Sequence, residues 1–378
     1  MENSAKDTWV LVTGGTGFVG VHVILQLMQK GYKVKTTLRS LKRKEEVLDM
    51  LRHGGIADFK NLRFIEADLM KDDNWKEAVR NCTYVLHIAS PIFLALPKDE
   101  NEMIRPAVDG TLRVLKAARD AGVKRVVMTS NFGAVGYSHK DPYTAITEKE
   151  WTDPNEKGLS SYNKSKVMAE RAAWDFIQRE GGSLELSAIN PVGIFGPSLG
   201  PDISSGFELV KNLLDGTMMA IPNLTLNIID VRDVADLHVR AMTSPAAKGE
   251  RFLALAGGKI SMPEIAGLLR EKMPVISAKV STKTLPDWVV RIAALFSPKA
   301  KAIASMLKAS RNVSNGKARN VLGWNPSLPM KRPSCYRWKV CLNSAISDDE
   351  GQRDQIMLHR AGDFARTVHC RAFLFVYR

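Results

Sequence analysis

The chain has 378 residues, 45% hydrophobic and 25% charged, with a formal net charge of +14. That length allows two lobes, each burying a core, and no apolar run approaches the ~18 residues that suggest a membrane span. The basic residues are scattered apart from "RSLKRK" at 39–44, and no zinc finger or RNA-reading aromatic motif accompanies them, so a solvated basic surface is expected rather than nucleic-acid binding.

From the start, short apolar runs alternate with helical patterns. "TWVLVTG" (8–14) reads as a buried strand, "GVHVILQLMQKG" (20–31) as a helix closed by Gly31, and "YKVKTTLR" (32–39) as a second strand. Strands follow over 62–69, 83–90 and 124–130, with a helix over "GTLRVLKAARDAG" (110–122). Continuous apolar strands between helices predict a parallel sheet covered on both faces, a doubly wound α/β fold. "SSYNKSKVMAERAA" (160–173) predicts a helix on which Tyr162 and Lys166, four apart, share a face. That spacing alone is also common on wet amphipathic helices.

After Pro191, "NPVGIFGPSLGPDISSG" reads as long loops near a site. Strand and helix return over 226–242, and another strand over 251–257. Ser261 is expected to cap the next helix, with Glu264 closing a capping box. Residues 286–310 suggest helical segments broken near "SPK". Cys82, Cys335, Cys341 and Cys370 form no CxxC pair and no cysteine-histidine cluster, so neither a metal nor a disulfide framework is expected. The opening "MENSAKDTWV" lacks the apolar core of a secretory signal, which favours a cytoplasmic protein with no membrane partner.

"VLVTGGTGFVG" (10–20) sets Gly14, Gly17 and Gly20 between a strand and a helix. Glycines there permit a tight turn and a close approach to a pyrophosphate, which the helix N-terminus then attracts. An ATP-type loop needs lysine after the last glycine, where this chain has Val21. Thr16, Phe18 and Val19 belong to the same loop. The second strand ends at Arg39 rather than at an acidic residue, which suits a 2′-phosphate and hence NADPH over NADH. Lys44, with Lys42 and Arg43, can add to that pocket or simply be solvated. Asp68 and Leu69 are placed to hold the adenine edge, although "EADL" also reads as an ordinary strand end. His87 and His238 lie in apolar patterns and read as hydrogen-bonded structural residues.

With "TGGTGFVG", "DL" at 68–69, "LHIASP" at 86–91 and "YNKSK" at 162–166, the chain resembles the extended short-chain dehydrogenase/reductase family. "RPAVDGTLRVLKAA" (105–118), Arg39 and "IIDVRDVADLHVRAM" are similar to its dihydroflavonol-reductase, cinnamoyl-CoA-reductase and NADPH-dependent aldehyde-reductase branch. The resemblance spans roughly 8–330. It implies a Rossmann domain over 1–190, rejoined by 226–257, and a smaller C-terminal substrate lobe from 191–225 and 258–330. It also implies reduction of a small-molecule carbonyl, an aldehyde or ketone, by a monomer or homodimer. Tyr162 then maps onto the general acid, and Lys166 onto the ribose anchor and tuner of the phenol; a cation beside a phenol favours the phenolate. Ile88, Ala89 and Ser90 map near the nicotinamide ribose, and Pro191 and Val192 against the ring.

The family's third catalytic residue is usually the second serine of "TSS", where this chain reads "TSN". By register the match is Asn131, whose amide can donate to an oxyanion, with Ser130 as the rival. Phe93, Phe132, Phe195 and the loops around 198–210 are candidates for substrate contact or for core. Two other functions stay open: an NAD-retaining sugar-nucleotide epimerase or dehydratase, which Arg39 disfavours, and a non-catalytic NADP(H)-binding protein. Residues 331–378 depart from the family and hold three of the four cysteines; a non-homologous, poorly ordered terminus is expected there.

Overall fold

In the computed structural model, which describes residues 5–91, 99–201, 205–297, 300, 303, 304, 307 and 312–327, strand and helix alternate as the apolar runs predict. The strands β1 (Trp9–Thr13), β2 (Lys33–Leu38), β3 (Leu62–Glu66), β4 (Tyr84–His87), β5 (Arg125–Thr129) and β6 (Glu185–Pro191) come first. The short strands β7 (Gly193–Phe195), β8 (Ile221–Pro222), β9 (Thr225–Leu226) and β10 (Ile228–Asp230) precede β11 (Glu250–Ala254). Two more, β12 (Ile260–Ser261) and β13 (Thr284–Leu285), follow it. Seven strands form one parallel sheet in the order β11-β6-β5-β4-β1-β2-β3. The chain runs outward from β1 to β3 and then restarts on the other side with β4. A crevice opens at the carboxyl ends of strands where the order reverses in this way.

The helices are α1 (Phe18–Gln29), α2 (Lys44–His53), α3 (Trp75–Val79), α4 (Asn101–Asp120) and α5 (Ser161–Glu180). They are followed by α6 (Ser205–Leu214), α7 (Val231–Thr243), α8 (Met262–Lys272), α9 (Asp287–Ala293) and a last helix, Gly316–Leu322. Successive residues of β1 serve opposite cores. Val10 and Val12 join Ile24, Leu27, Leu237 and Phe252, whereas Leu11 joins Val85, Leu115, Val126 and Phe176. Burial on both faces is why the strand reads as an unbroken apolar run. A third core of Phe195, Leu213, Ile221, Ile260, Ile265 and Leu269 lies outside the main sheet.

Several expectations need correction. The helix read from Gly110 begins at Asn101 and contains Pro106. Gly110 is a spacer rather than a start: a Cβ there would lie 3.0 Å from the Leu69 Cβ. The loop after Pro191 contains β7, which pairs in parallel with β10, so the strand at 228–230 does not enter the main sheet. α7 nevertheless packs on α1, and β11 extends the main sheet beyond β6. The helix α2, begun by Lys44 in what reads as a charge run, is an element the periodicity did not mark. The capping box at Ser261 and Glu264 forms as expected. Phe93 and the 331–378 terminus lie outside the described residues.

Candidate active site

β1 delivers the chain into the glycine loop beneath the N-terminus of α1. Gly14 has φ of 76°, and a Cβ on it would stand 3.1 Å from the Ala89 Cβ. On Gly20 a Cβ would overlap the Gly14 carbonyl oxygen, so helix and loop meet only because that residue is glycine. Gly17 caps α1 without a side-chain hydrogen bond, which leaves the first turn facing the crevice with no capping side chain. Phe18 itself is buried edge-on against His22 and Phe207, at 5.8 and 5.9 Å between ring centroids, so it can meet a ligand only through its backbone. Val19 is half-buried against the core.

Charged groups flank this loop. Arg39 is exposed just past β2 and makes no hydrogen bond or ion pair among the described residues. Arg43, from the same basic run, donates to the Thr16 hydroxyl at 3.3 Å and is gripped by Glu46 at 2.5 and 2.7 Å. Lys44 is exposed, with its Nζ 5.6 Å from the centroid of the Phe64 ring. Asp68 turns its carboxylate back to accept from the Met70 backbone N–H at 3.0 Å, and Leu69 is buried in the core. A backbone cradle that a Cβ would fill and an unpaired arginine beside it together fit a phosphorylated dinucleotide.

Across the crevice stands the first turn of α5. Ser160 caps it by accepting from the Asn163 N–H at 3.2 Å, placing Tyr162 near the helix start and Lys166 one turn on. The Lys166 Nζ lies 5.8 Å from the centroid of the Tyr162 ring. Tyr162 is 41% exposed and Lys166 only 9%, so the phenol faces the open side while the ammonium sits deeper. Lys166 lines a narrow cleft with His87, Ala89, Ser90, Thr111 and Ser130. His87 is pushed down to about 3 by burial and then by the Lys166 charge, so it is neutral beside the ammonium. It hydrogen-bonds Thr13 at 2.9 Å, and Thr13 also accepts from the Ala89 N–H at 2.9 Å, tying the ends of β1 and β4 together.

The two candidates for the third role occupy different settings. Ser130 is 3% exposed, and its hydroxyl has no hydrogen-bond partner among the described residues. Asn131 is half-buried and opens the 3-10 turn Phe132–Ala134, with its Oδ1 accepting from the Ala134 N–H at 3.2 Å. Below them, Asn190 donates to the Asn131 carbonyl at 3.2 Å and to Glu170 at 2.8 Å, and Arg251 donates to Glu170 at 2.7 Å. This buried network joins β6, β11 and α5 behind the crevice.

Ile88, Ala89 and Ser90 are half-buried directly after β4, and Pro191 and Val192 are buried at the end of β6, all at the carboxyl edge of the sheet. Phe132 and Phe195 are core residues: Phe132 packs on Tyr137 at 5.9 Å and Phe195 on Phe207 at 5.5 Å. His238 is structural as expected. Its Nδ1 donates to the Val234 carbonyl at 2.8 Å and its Nε2 accepts from Thr129 at 2.7 Å. No motif spacing in the sequence marks Gly15, Thr13 or His22. A Cβ on Gly15 would overlap the Thr36 hydroxyl, and His22 donates to the Pro197 carbonyl at 2.9 Å, fastening α1 to the loop after β7. The adjacent glycine in "TGGTG" is the one signal that could have revealed Gly15.

A parallel sheet with a glycine loop at its switch point and a tyrosine-lysine pair beside it defines a dinucleotide-binding protein of the Rossmann type. Residues 11–252 match the 3-beta hydroxysteroid dehydrogenase/isomerase family. The chain belongs to that family, within the extended short-chain dehydrogenases/reductases. A Candida albicans protein provisionally named an NADPH-dependent methylglyoxal reductase is 33% identical over 294 residues, covering 73% of this chain and 86% of the relative. An anthocyanidin reductase of Vitis vinifera is 33% identical over 278 residues, covering 70% and 80% respectively. The structure of yeast methylglyoxal/isovaleraldehyde reductase Gre2 complexed with NADPH superposes with a TM-score of 0.70 at 25% identity, over 90% of this chain and 98% of its own. Among the described residues no helix is long and apolar enough to cross a membrane, and no cluster of side chains could hold a metal ion.

Proposed function

We propose that this oxidoreductase reduces an aldehyde or ketone with NADPH, the region 1–190 with 226–257 holding the nucleotide and 191–225 with 258–330 the substrate. One observation carries the reading: Tyr162 and Lys166 stand side by side, 5.8 Å from ring centroid to Nζ, at the switch-point crevice that begins with the glycine loop. When bound, the nicotinamide supplies the hydride. Gly14, Thr16, Gly17, Phe18, Val19 and Gly20 present backbone and the positive end of α1 to the pyrophosphate. Arg39 and Lys44 meet the 2′-phosphate, and the free guanidinium of Arg39 supports NADPH, as do the NADPH-dependent relatives. With the nucleotide bound, Asp68 and Leu69 would border the adenine through the turn they form, Ile88, Ala89 and Ser90 would border the nicotinamide ribose, and Pro191 and Val192 would back the ring.

Tyr162 gives its hydroxyl proton to the carbonyl oxygen as hydride reaches the carbonyl carbon, so the alcohol forms with atoms and charge balanced. Lys166 stabilises the phenolate left behind and holds the ribose hydroxyls. The Asn131 amide donates to the same oxygen as negative charge grows on it, with Ser130 the competing donor. A panel of aldehydes and ketones followed by NADPH absorbance tests this, with steady NADPH consumption on at least one member expected. Protein that retains bound NAD and shows no net NADPH consumption is instead a hydride-recycling epimerase or dehydratase.

A further inference from the structure

The asparagine that stands where this family usually places a serine has a second asparagine as its neighbour. Asn131 Oδ1 accepts from the Ala134 backbone N–H, which can only donate, so the oxygen of that amide faces the turn and the nitrogen faces away from it. The nitrogen points to Asn163, whose Oδ1 lies 3.4 Å away. The backbone of Asn163 is anchored in the first turn of α5, beside Tyr162, where its N–H is held by Ser160 at 3.2 Å. Gly133 leaves room for the pair: a Cβ there would overlap the Asn163 amide oxygen and stand 2.9 Å from Asn131 Oδ1. The Asn131 carbonyl is anchored separately by Asn190.

We infer that Asn163 is a positioning residue that holds the Asn131 amide so that its second N–H is presented to the substrate's carbonyl oxygen. This rests on the assignment of Asn131 above. One amide hydrogen is taken by Asn163, and the other remains for the oxygen on which charge develops. An amide has no proton to give up, so Asn131 stabilises charge while Tyr162 alone supplies the proton. A serine at 131 is too short to engage Asn163 in this way. The tyrosine-adjacent asparagine of "YNKSK" and the asparagine of "TSN" therefore work as a couple.

The test uses the full chain with NADPH and the best carbonyl of the panel. Asn163→Ala is expected to lower kcat about ten-fold, with the NADPH dissociation constant and the melting temperature unchanged, because the loss falls on the transition state alone. In an Asn131→Ser background the same Asn163→Ala change is expected to alter kcat by less than about two-fold, the sign of coupled residues. In asparagine-15N-labelled protein, the side-chain amide signal lost in Asn131→Ser is expected to shift in Asn163→Ala. Equal losses in both backgrounds, or an unmoved amide signal, overturn the coupling. Full turnover by Asn131→Ala overturns the assignment of Asn131 itself, a result separable from a failure at Asn163.

Discussion

The two walls of the crevice are specified in different ways. The nucleotide side is made of backbone: Gly14, Gly15 and Gly20 stand where a Cβ would meet Ala89, Thr36 or the loop's own carbonyl, within a few residues of sequence or across one strand. On the proposed carbonyl side the geometry is made of side chains: Asn131 opens the turn after β5, Tyr162 stands in the first turn of α5, and Asn190 and Arg251 meet at Glu170 from two strands. A backbone cradle tolerates no added atom, whereas a side-chain site can exchange one donor for another. Asn131, which the resemblance sets where the family usually has a serine, falls on the tolerant wall.

That contrast breaks first at Tyr162. Tyr162→Phe should lower kcat by ~10²- to 10⁴-fold, the range of a well-placed general acid, while NADPH still binds. Unchanged turnover would remove the assigned acid. On the opposite wall, Gly20→Ala should cost at least about ten-fold in NADPH affinity and also lower the melting temperature, because its methyl group meets a carbonyl oxygen rather than a flexible side chain. Nucleotide titration and thermal melts of the same sample read both effects; wild-type affinity would show that loop and helix can separate freely. Arg39→Ala sharpens the picture by a smaller amount. It should weaken NADPH about ten-fold and leave NADH nearly unchanged, as expected for one charge-assisted contact to a 2′-phosphate. Equal losses for both nucleotides would count against that contact.

Legibility in the sequence follows the same division. The first β-α-β run, the glycine loop and the i,i+4 pair at Tyr162 are local patterns, and each is where the chain's periodicity puts it. The buried link from Asn190 through Glu170 to Arg251 joins residues about 20 and 81 positions apart, and no spacing rule reaches that far. Phe132 and Phe195 read equally as substrate contacts or core, and only packing resolves them as core. Pro106 masked the first turns of α4 because an interior proline is a helix-breaking signal that tertiary packing here overrides. Among "KRK" at 42–44, the sequence could not show that Arg43 is the one whose side chain bonds the glycine loop.

Buried histidines on both walls give a last, smaller effect. Burial lowers His87 to about 3, with the Lys166 charge adding to it, and lowers His238 to about 4 against the opposing Val234 carbonyl bond. His22, which fastens α1 to Pro197, is lowered by burial as well. Unfolded, each ring titrates near ~6.5, so between that pH and the folded value the unfolded chain binds more protons. Stability from these rings is therefore complete above about pH 7 and declines as acid is added. For His87 and His238 the loss at pH 5.5 is about 1.4 kcal/mol each, since the slope approaches ~1.4 kcal/mol per pH unit per ring. Glu148 and Asp233, raised by burial, act in the opposite direction and trim the loss toward the acid end. Urea unfolding at pH 7.5 and 5.5 should show the decline, and His238→Gln should shrink it by roughly one ring's share, ~1.4 kcal/mol. A curve that is flat between the two pH values would mean that the rings take up protons without leaving the fold, and burial would then no longer explain their neutrality.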